Sequence, residues 1–232
     1  MARNILLIGG NSGIGLSTAK RLQAKGDTLT VASRSHDPLT QLGIPVQPFD
    51  ATDASLSLAL PDALDGVVYC PGTINFKPFT NLNEADFLAD LQVNLLGAVR
   101  VLQLAFPALK KSPSASVVLF STVAVKVGMP YHASIAASKG AVEGLTRSLA
   151  AEWAPKVRVN AIAPALTDTP LVSSLLSDEK RRSAASERSP LKQIGEPDHF
   201  AELTDHLLSD AARYTTGQIF RPDGGLSSVR LF

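Results

Sequence analysis

Little in this chain points to secretion, a membrane or nucleic acid. It has one cysteine, Cys70, so no internal disulfide can form, and a reducing, cytoplasmic setting is the expectation. Basic and acidic residues nearly cancel, 22 against 21, which leaves no field to draw nucleic acid or anionic lipid. No stretch is expected to reach the length of a bilayer span. The apolar run at the start is far too short for a signal segment and leads directly into glycines. No repeat, low-complexity tract or metal-ligand cluster is visible.

What is present suits one domain. The chain has 232 residues, 45% of them hydrophobic and 19% charged, enough to bury a sizeable core. It is organised around the turn Gly9-Gly10-Asn11-Ser12-Gly13-Ile14-Gly15. Asn4–Ile8 before it reads as a buried strand. After it, Ile14, Thr18, Ala19 and Leu22 recur at helical spacing as far as Gly26, which can cap the helix. Glycines at such a junction let the backbone turn tightly and let a pyrophosphate approach the new helix's free N–H groups. A plain structural turn is the competing reading.

Further strands are expected at Thr28–Ala32, Val46–Phe49, Gly66–Tyr69, Ser116–Phe120, Val157–Ala161 and Gln218–Arg221, alternating with helices. Only about a dozen residues separate the third from the fourth, so a short helix is expected there. Phe87, Leu88, Leu91, Leu95, Val99 and Leu102 form a helical stripe ending near Pro107, and Lys139 to Trp153 a second long helix stopped by Pro155. The alternation predicts a single α/β domain over residues 1–232, a doubly wound parallel sheet of Rossmann-like type with helices on both faces.

Glycines at offsets 0, 4 and 6 resemble the T-G-x-x-x-G-x-G pattern of the short-chain dehydrogenase/reductase family, with Ile8 in the place of Thr. Other landmarks follow in order from Arg3 to Ser228. Phe120-Ser121-Thr122-Val123-Ala124 resembles I-S-S-V-A, and Ala137-Ser138-Lys139 ends a stretch similar to Y-x-A-S-K. Asn160 to Thr169 resembles N-x-x-x-P-G-x-x-x-T, with Ala165 for the glycine, and Ile194-Gly195-Glu196-Pro197 and Gly217 to Gly225 match the late signatures. Tyr69-Cys70-Pro71-Gly72 stands for N-N-A-G and keeps only Gly72.

The resemblance implies an oxidoreductase using a nicotinamide cofactor. Cofactor binding would fall to Gly9, Asn11, Ser12, Gly13, Ile14, Gly15, Ser33, Arg34, Asp50, Ala51, Gly72, Lys139, Pro164, Thr167 and Thr169. Arg34 follows the second strand, where Arg suits a 2′-phosphate, and Ser33 stands where an acid would select NAD; NADP(H) is therefore expected over NAD(H), against an ordinary surface arginine. Asp50 would meet the adenine or cap a following helix. Catalysis would involve Asn94, Thr122 and Lys139: Thr122 polarising a carbonyl, Asn94 holding a relay water or serving as a satisfied core residue. Lys139 would hold the nicotinamide ribose, unless it is a solvated helix lysine. The family's tyrosine should stand four residues before Lys139, and that residue is Ile135, which has no proton to give. Tyr131 or His132 could fold over the pocket as an acid, or both could be ordinary loop residues. Cys70 reads as a small buried hydrophobe.

Ser173 to Ser189, charged and serine-rich, is either a solvated helix or mobile loop, or, as the resemblance implies, the substrate lid. Two classes of function remain open: an NADP(H)-dependent oxidoreductase of an unknown small molecule with a non-standard proton donor, or an inactive NADP(H)-binding sensor or scaffold. An assembly element without cofactor is a third. A homodimer or homotetramer is the family expectation.

Overall fold

The computed structural model describes residues 2–35, 37–55 and 57–231. Seven strands form one all-parallel sheet in the order β3-β2-β1-β4-β5-β6-β7. They are β1 (Asn4–Ile8), β2 (Thr28–Ser33), β3 (Val46–Pro48), β4 (Gly66–Tyr69), β5 (Ala115–Phe120), β6 (Val157–Ile162) and β7 (Ile219–Phe220). The central strands are buried from end to end, as a sheet covered on both faces requires. The chain reverses direction of travel between β1 and β4, which pair from Ile5 opposite Gly66 to Ile8 opposite Tyr69. That switch point opens a crevice above the carboxyl ends of the two strands.

Helices cover both faces. On one lie α3 (Glu84–Leu109) and α4 (Ala133–Trp153), packed on Leu6, Val67, Val117 and Val159. On the other lie α1 (Gly13–Ala24) and, late in the chain, α6 (Pro197–Leu208), packed on Ile5, Leu7, Val68 and Val118. The short α2 (Asp37–Gln41) follows β2, and α5 (Glu179–Ser186) stands above the sheet. Gly26, at φ 82°, ends α1 as expected, with Gly26 N–H on Gln23 O and Asp27 N–H on Leu22 O.

Three expectations are corrected. No helix lies between β3 and β4 among the described residues. Asp50 and Asp53 instead accept the backbone N–H groups of Thr52 and Ser55, each at 2.8 Å, and build two Asx turns. The Asp50 carboxylate therefore caps no helix.

The stripe Phe87 to Leu102 is not the buried face of α3. Only Leu102 of the six is buried; the sheet receives Ala98, Val101, Ala105, Ala108 and Leu109. The residues that meet the sheet are mostly small and let the helix approach closely, while Leu88, Leu96 and Leu104 lie outward, Leu88 being 51% exposed. Pro107 lies inside this helix, two residues before its end at Leu109.

At 26 residues α3 is also long and apolar enough to cross a membrane by length and composition, against the expectation that no stretch would be. It packs on the sheet and buries Asp90 and Asn94.

Candidate active site

The glycine turn has the backbone that its residues predict. Gly9 and Gly13 have φ of 78° and 50°, the left-handed region that favours glycine. A Cβ on Gly15 would stand 2.2 Å from Gly9 O, so α1 can begin here only with glycine. Ser12 precedes α1 and makes no side-chain cap bond, and the first turn of α1 carries no acidic residue. The helix end is thus electropositive and unclaimed by the chain's own side chains. Asn11 Nδ2 bonds the Ser35 hydroxyl, tying the turn to the end of β2.

From this turn a cleft of about 1090 Å³ runs along the strand ends. Every residue expected to bind cofactor lies in its wall: Gly9 to Gly15 save Gly10, then Ser33, Arg34, Asp50, Ala51, Gly72, Lys139, Pro164, Thr167 and Thr169. Ser33 is buried, its hydroxyl donating to Ser35 O at 2.9 Å, and Arg34 is exposed at the end of β2. Two hydrogen bonds from Thr52, backbone and hydroxyl, hold the Asp50 carboxyl below its ordinary range, with a smaller contribution from Arg34.

At the other end stand Thr122 and Lys139. Thr122 Oγ1 accepts the Ala124 N–H at 3.3 Å, which leaves its own proton to donate. Lys139 is 6% exposed, and Nζ donates to Phe120 O at 2.8 Å. It is therefore no solvated helix lysine. Burial lowers it from 10.5 to about 8, against the opposing influence of Cys70 and Asp90. Cys70 also lines the cleft, its thiol pushed up to about 12 by burial.

Asn94 does not line the cleft. It is 1% exposed, with Oδ1 accepting from Thr73 N–H at 3.1 Å and Nδ2 donating to Thr73 Oγ1 and Ser138 Oγ at 3.0 and 3.1 Å. Gln92–Leu96 around it forms a π turn inside α3. Tyr69 accounts for the widened turn: its hydroxyl donates to Val93 O at 2.6 Å and would meet a Gly97 Cβ at 2.3 Å.

Ile135 is 5% exposed in the cleft wall, one helical turn before Lys139. The two residues before α4 separate. His132 lines the cleft, edge-on to Phe76 at 5.1 Å, with Nδ1 at 2.7 Å from Pro130 O. Tyr131, at φ 67°, is 48% exposed outside the wall, against Phe76.

The segment 173–189 contributes Leu175, Arg181, Ala184, Ala185, Arg188 and Ser189 to the cleft wall. A 3₁₀ stretch (Pro170–Leu176) and α5 form it. Arg182 pairs with Asp168 at 2.7 Å and ties α5 to the loop after β6. Phe76, Thr73 and Met129 were not foreseen as wall residues; Phe76 carried a signal only in being an aromatic between loop residues.

A family model described as enoyl-(acyl carrier protein) reductase matches residues 8–227. A tropinone reductase homolog of Arabidopsis thaliana is 34% identical over 242 residues, covering 97% of this chain and 92% of its own. A short-chain dehydrogenase/reductase (glucose/ribitol dehydrogenase) structure from Brucella melitensis superposes with a TM-score of 0.89 at 30% identity, over 98% and 97% of the two chains. Two structures at 24% identity share the fold with nicotinamide cofactors bound. One is 4-hydroxyisoleucine dehydrogenase complexed with NADH (TM-score 0.88, 98% and 100% covered), the other ElxO with NADP (0.87, 99% and 100%). With its seven-stranded parallel sheet and a match spanning nearly its whole length, the chain belongs to the short-chain dehydrogenase/reductase family of oxidoreductases.

Proposed function

We propose that this chain is an NADP(H)-dependent oxidoreductase of a small molecule, in which residue 135 delivers no proton. The observation that carries the reading is the single cleft joining the glycine turn to Thr122 and Lys139. The residues fit a dinucleotide. An uncapped helix end suits the pyrophosphate, and Arg34 and the occluded Ser33 suit a 2′-phosphate. Asp50 and Ala51 flank the adenine position. Gly72 keeps the wall open beside Lys139, where a Cβ would stand 3.5 Å from Nζ. Nζ would then hold the nicotinamide ribose, with Pro164, Thr167 and Thr169 bordering the ring. The cofactor, when bound, supplies or accepts hydride.

Substrate would lie among Phe76, Val123, Met129, Leu171, Val172 and Leu175, an apolar surround under the lid. The Thr122 hydroxyl donates to its oxygen. Two wall residues flanking Ile135 can carry a proton, His132 three residues before and Lys139 four after. Because His132 Nδ1 is occupied by Pro130 O, Nε2 is the nitrogen left for substrate. Asn94, behind the wall, steadies Thr73 and Ser138.

The same apolar Ile135 favours a second reading, an NADP(H)-binding sensor without turnover. NADPH consumption across a panel of ketones and activated alkenes separates the two. Turnover by the native protein supports the enzyme. Saturable NADPH binding with no turnover anywhere supports the sensor. The reading includes a homodimer or homotetramer, since Leu88, Leu96 and Leu104 on the outer side of α3 are 51, 37 and 37% exposed. A strictly monomeric mass by light scattering contradicts that part.

A further inference from the structure

The inner side of the site holds an acid for which the hydride reaction has no use. Asp90 lies in α3, 2% exposed. One carboxylate oxygen accepts the Thr73 hydroxyl at 2.5 Å; the other, Oδ2, is buried without a partner. One turn later, Asn94 bonds Ser138 of α4. Both helices connect parallel strands and cover the same face of the sheet, so they run in the same direction. One turn back from Asn94 and Ser138 therefore brings Asp90 to the level of Ser134. Ser134 is 1% exposed, and its hydroxyl is likewise without a partner.

Two orphaned polar groups at one level of a packed interface are costly, and that cost calls for a role. They top a polar seam of Ser134, Asp90, Thr73, Asn94 and Ser138 that ends beside the lysine. A Gly72 Cβ would be 3.5 Å from Asn94 Oδ1 and equally 3.5 Å from Lys139 Nζ.

We propose that Asp90 is a positioning residue for Lys139, its carboxylate keeping the buried lysine an ammonium ion able to donate to the cofactor. The inference rests on the cofactor role proposed above for that lysine. The other groups around Nζ do not supply the charge. Phe120 O is a neutral acceptor. Cys70 opposes the effect of burial too, but a thiol pushed up to about 12 carries no charge where the lysine titrates. The Tyr69 hydroxyl is spent on Val93 O. Glu143, one turn further along α4, is bound by Ser121 and Arg221 at 3.0 and 3.2 Å. His132 at the start of α4 carries no negative charge. Asp90 is the anion left to oppose the burial of Lys139.

Carbon-labelled lysine NMR of the cofactor-free protein tests this directly, with the Lys139 signal assigned by its loss in Lys139→Met. The native signal should titrate near 8. In Asp90→Asn, nearly isosteric, the midpoint should fall by about half a pH unit or more. Asp90→Ser, which keeps a hydroxyl opposite Ser134, guards against an asparagine variant that fails to fold. A folded variant with an unmoved midpoint overturns the proposal and leaves Asp90 a structural residue. NADPH titration of the same samples keeps the two claims apart. A moved midpoint without NADPH binding upholds the coupling and sinks the cofactor reading, while binding with an unmoved midpoint does the reverse.

Discussion

The end of the cleft proposed for the nucleotide is built from backbone, and the end proposed for the reaction from side chains. At the first, Gly9, Gly13 and Gly15 place a helix terminus, and few side chains intervene. At the second, Thr122, Ile135 and Lys139 must meet at fixed separations, and each depends on a neighbour: Ala124 N–H, the α4 helix, Phe120 O. Backbone function tolerates sequence drift as long as the glycines stay. Side-chain function does not, and in the proposed reading the reaction end is where this chain departs from the pattern it resembles.

The sharpest way to break that contrast is to restore the reaction end alone. Ile135→Tyr puts a phenol in the cleft wall one turn from Lys139. General acid catalysis is worth about 10²–10⁴-fold, and ordinary ketone reduction should rise toward that range. No gain in a variant that folds and binds NADPH would show that more than the acid is missing. Damage at the other end should erase both halves together. In Gly15→Ala the new Cβ meets Gly9 O at 2.2 Å, and NADPH affinity by fluorescence should fall by about 100-fold. Unchanged affinity would remove the turn from the binding site.

Lys139→Met divides function from stability. The buried lysine titrates near 8 instead of 10.5, which costs the fold about 3 kcal/mol below pH 8. Between those values the unfolded chain binds more protons, so native stability should rise as pH climbs through that window. The variant should lose that rise in denaturant melts, show no large loss of stability at neutral pH and bind NADPH at least about tenfold more weakly. A native protein whose stability is flat from pH 8 to 10.5 would contradict the buried charge. The smallest effect is expected at Arg34, exposed at the nucleotide end. Arg34→Ala should weaken NADPH by about tenfold and leave NADH unchanged. Equal losses for both would mean that Arg34 reads no phosphate.

The nucleotide end was also the more legible half. A strand, three spaced glycines and a capped helix are local patterns, and the strands were bounded to within a residue or two. α3 was misread because hydrophobicity marked its large residues, whereas the face that packs on the sheet is set largely by Ala98, Ala105 and Ala108. The loop after β3 was misread because Asp50 and Asp53 satisfy their own backbone and remove the need for a helix. That Ile135 and Lys139 share one helix face was legible from their spacing. The seam behind them was not, since Thr73, Asp90 and Ser138 are far apart in sequence and meet only when α3 packs on α4. The π turn depends likewise on Tyr69 reaching Val93 from another element.

Titration of the purified protein with NADPH and NADH, followed by nicotinamide fluorescence, tests the central claim most directly. The account predicts saturable binding of both with a clear preference for NADPH. Absence of binding by either nucleotide would contradict it, leaving the cleft without its proposed ligand.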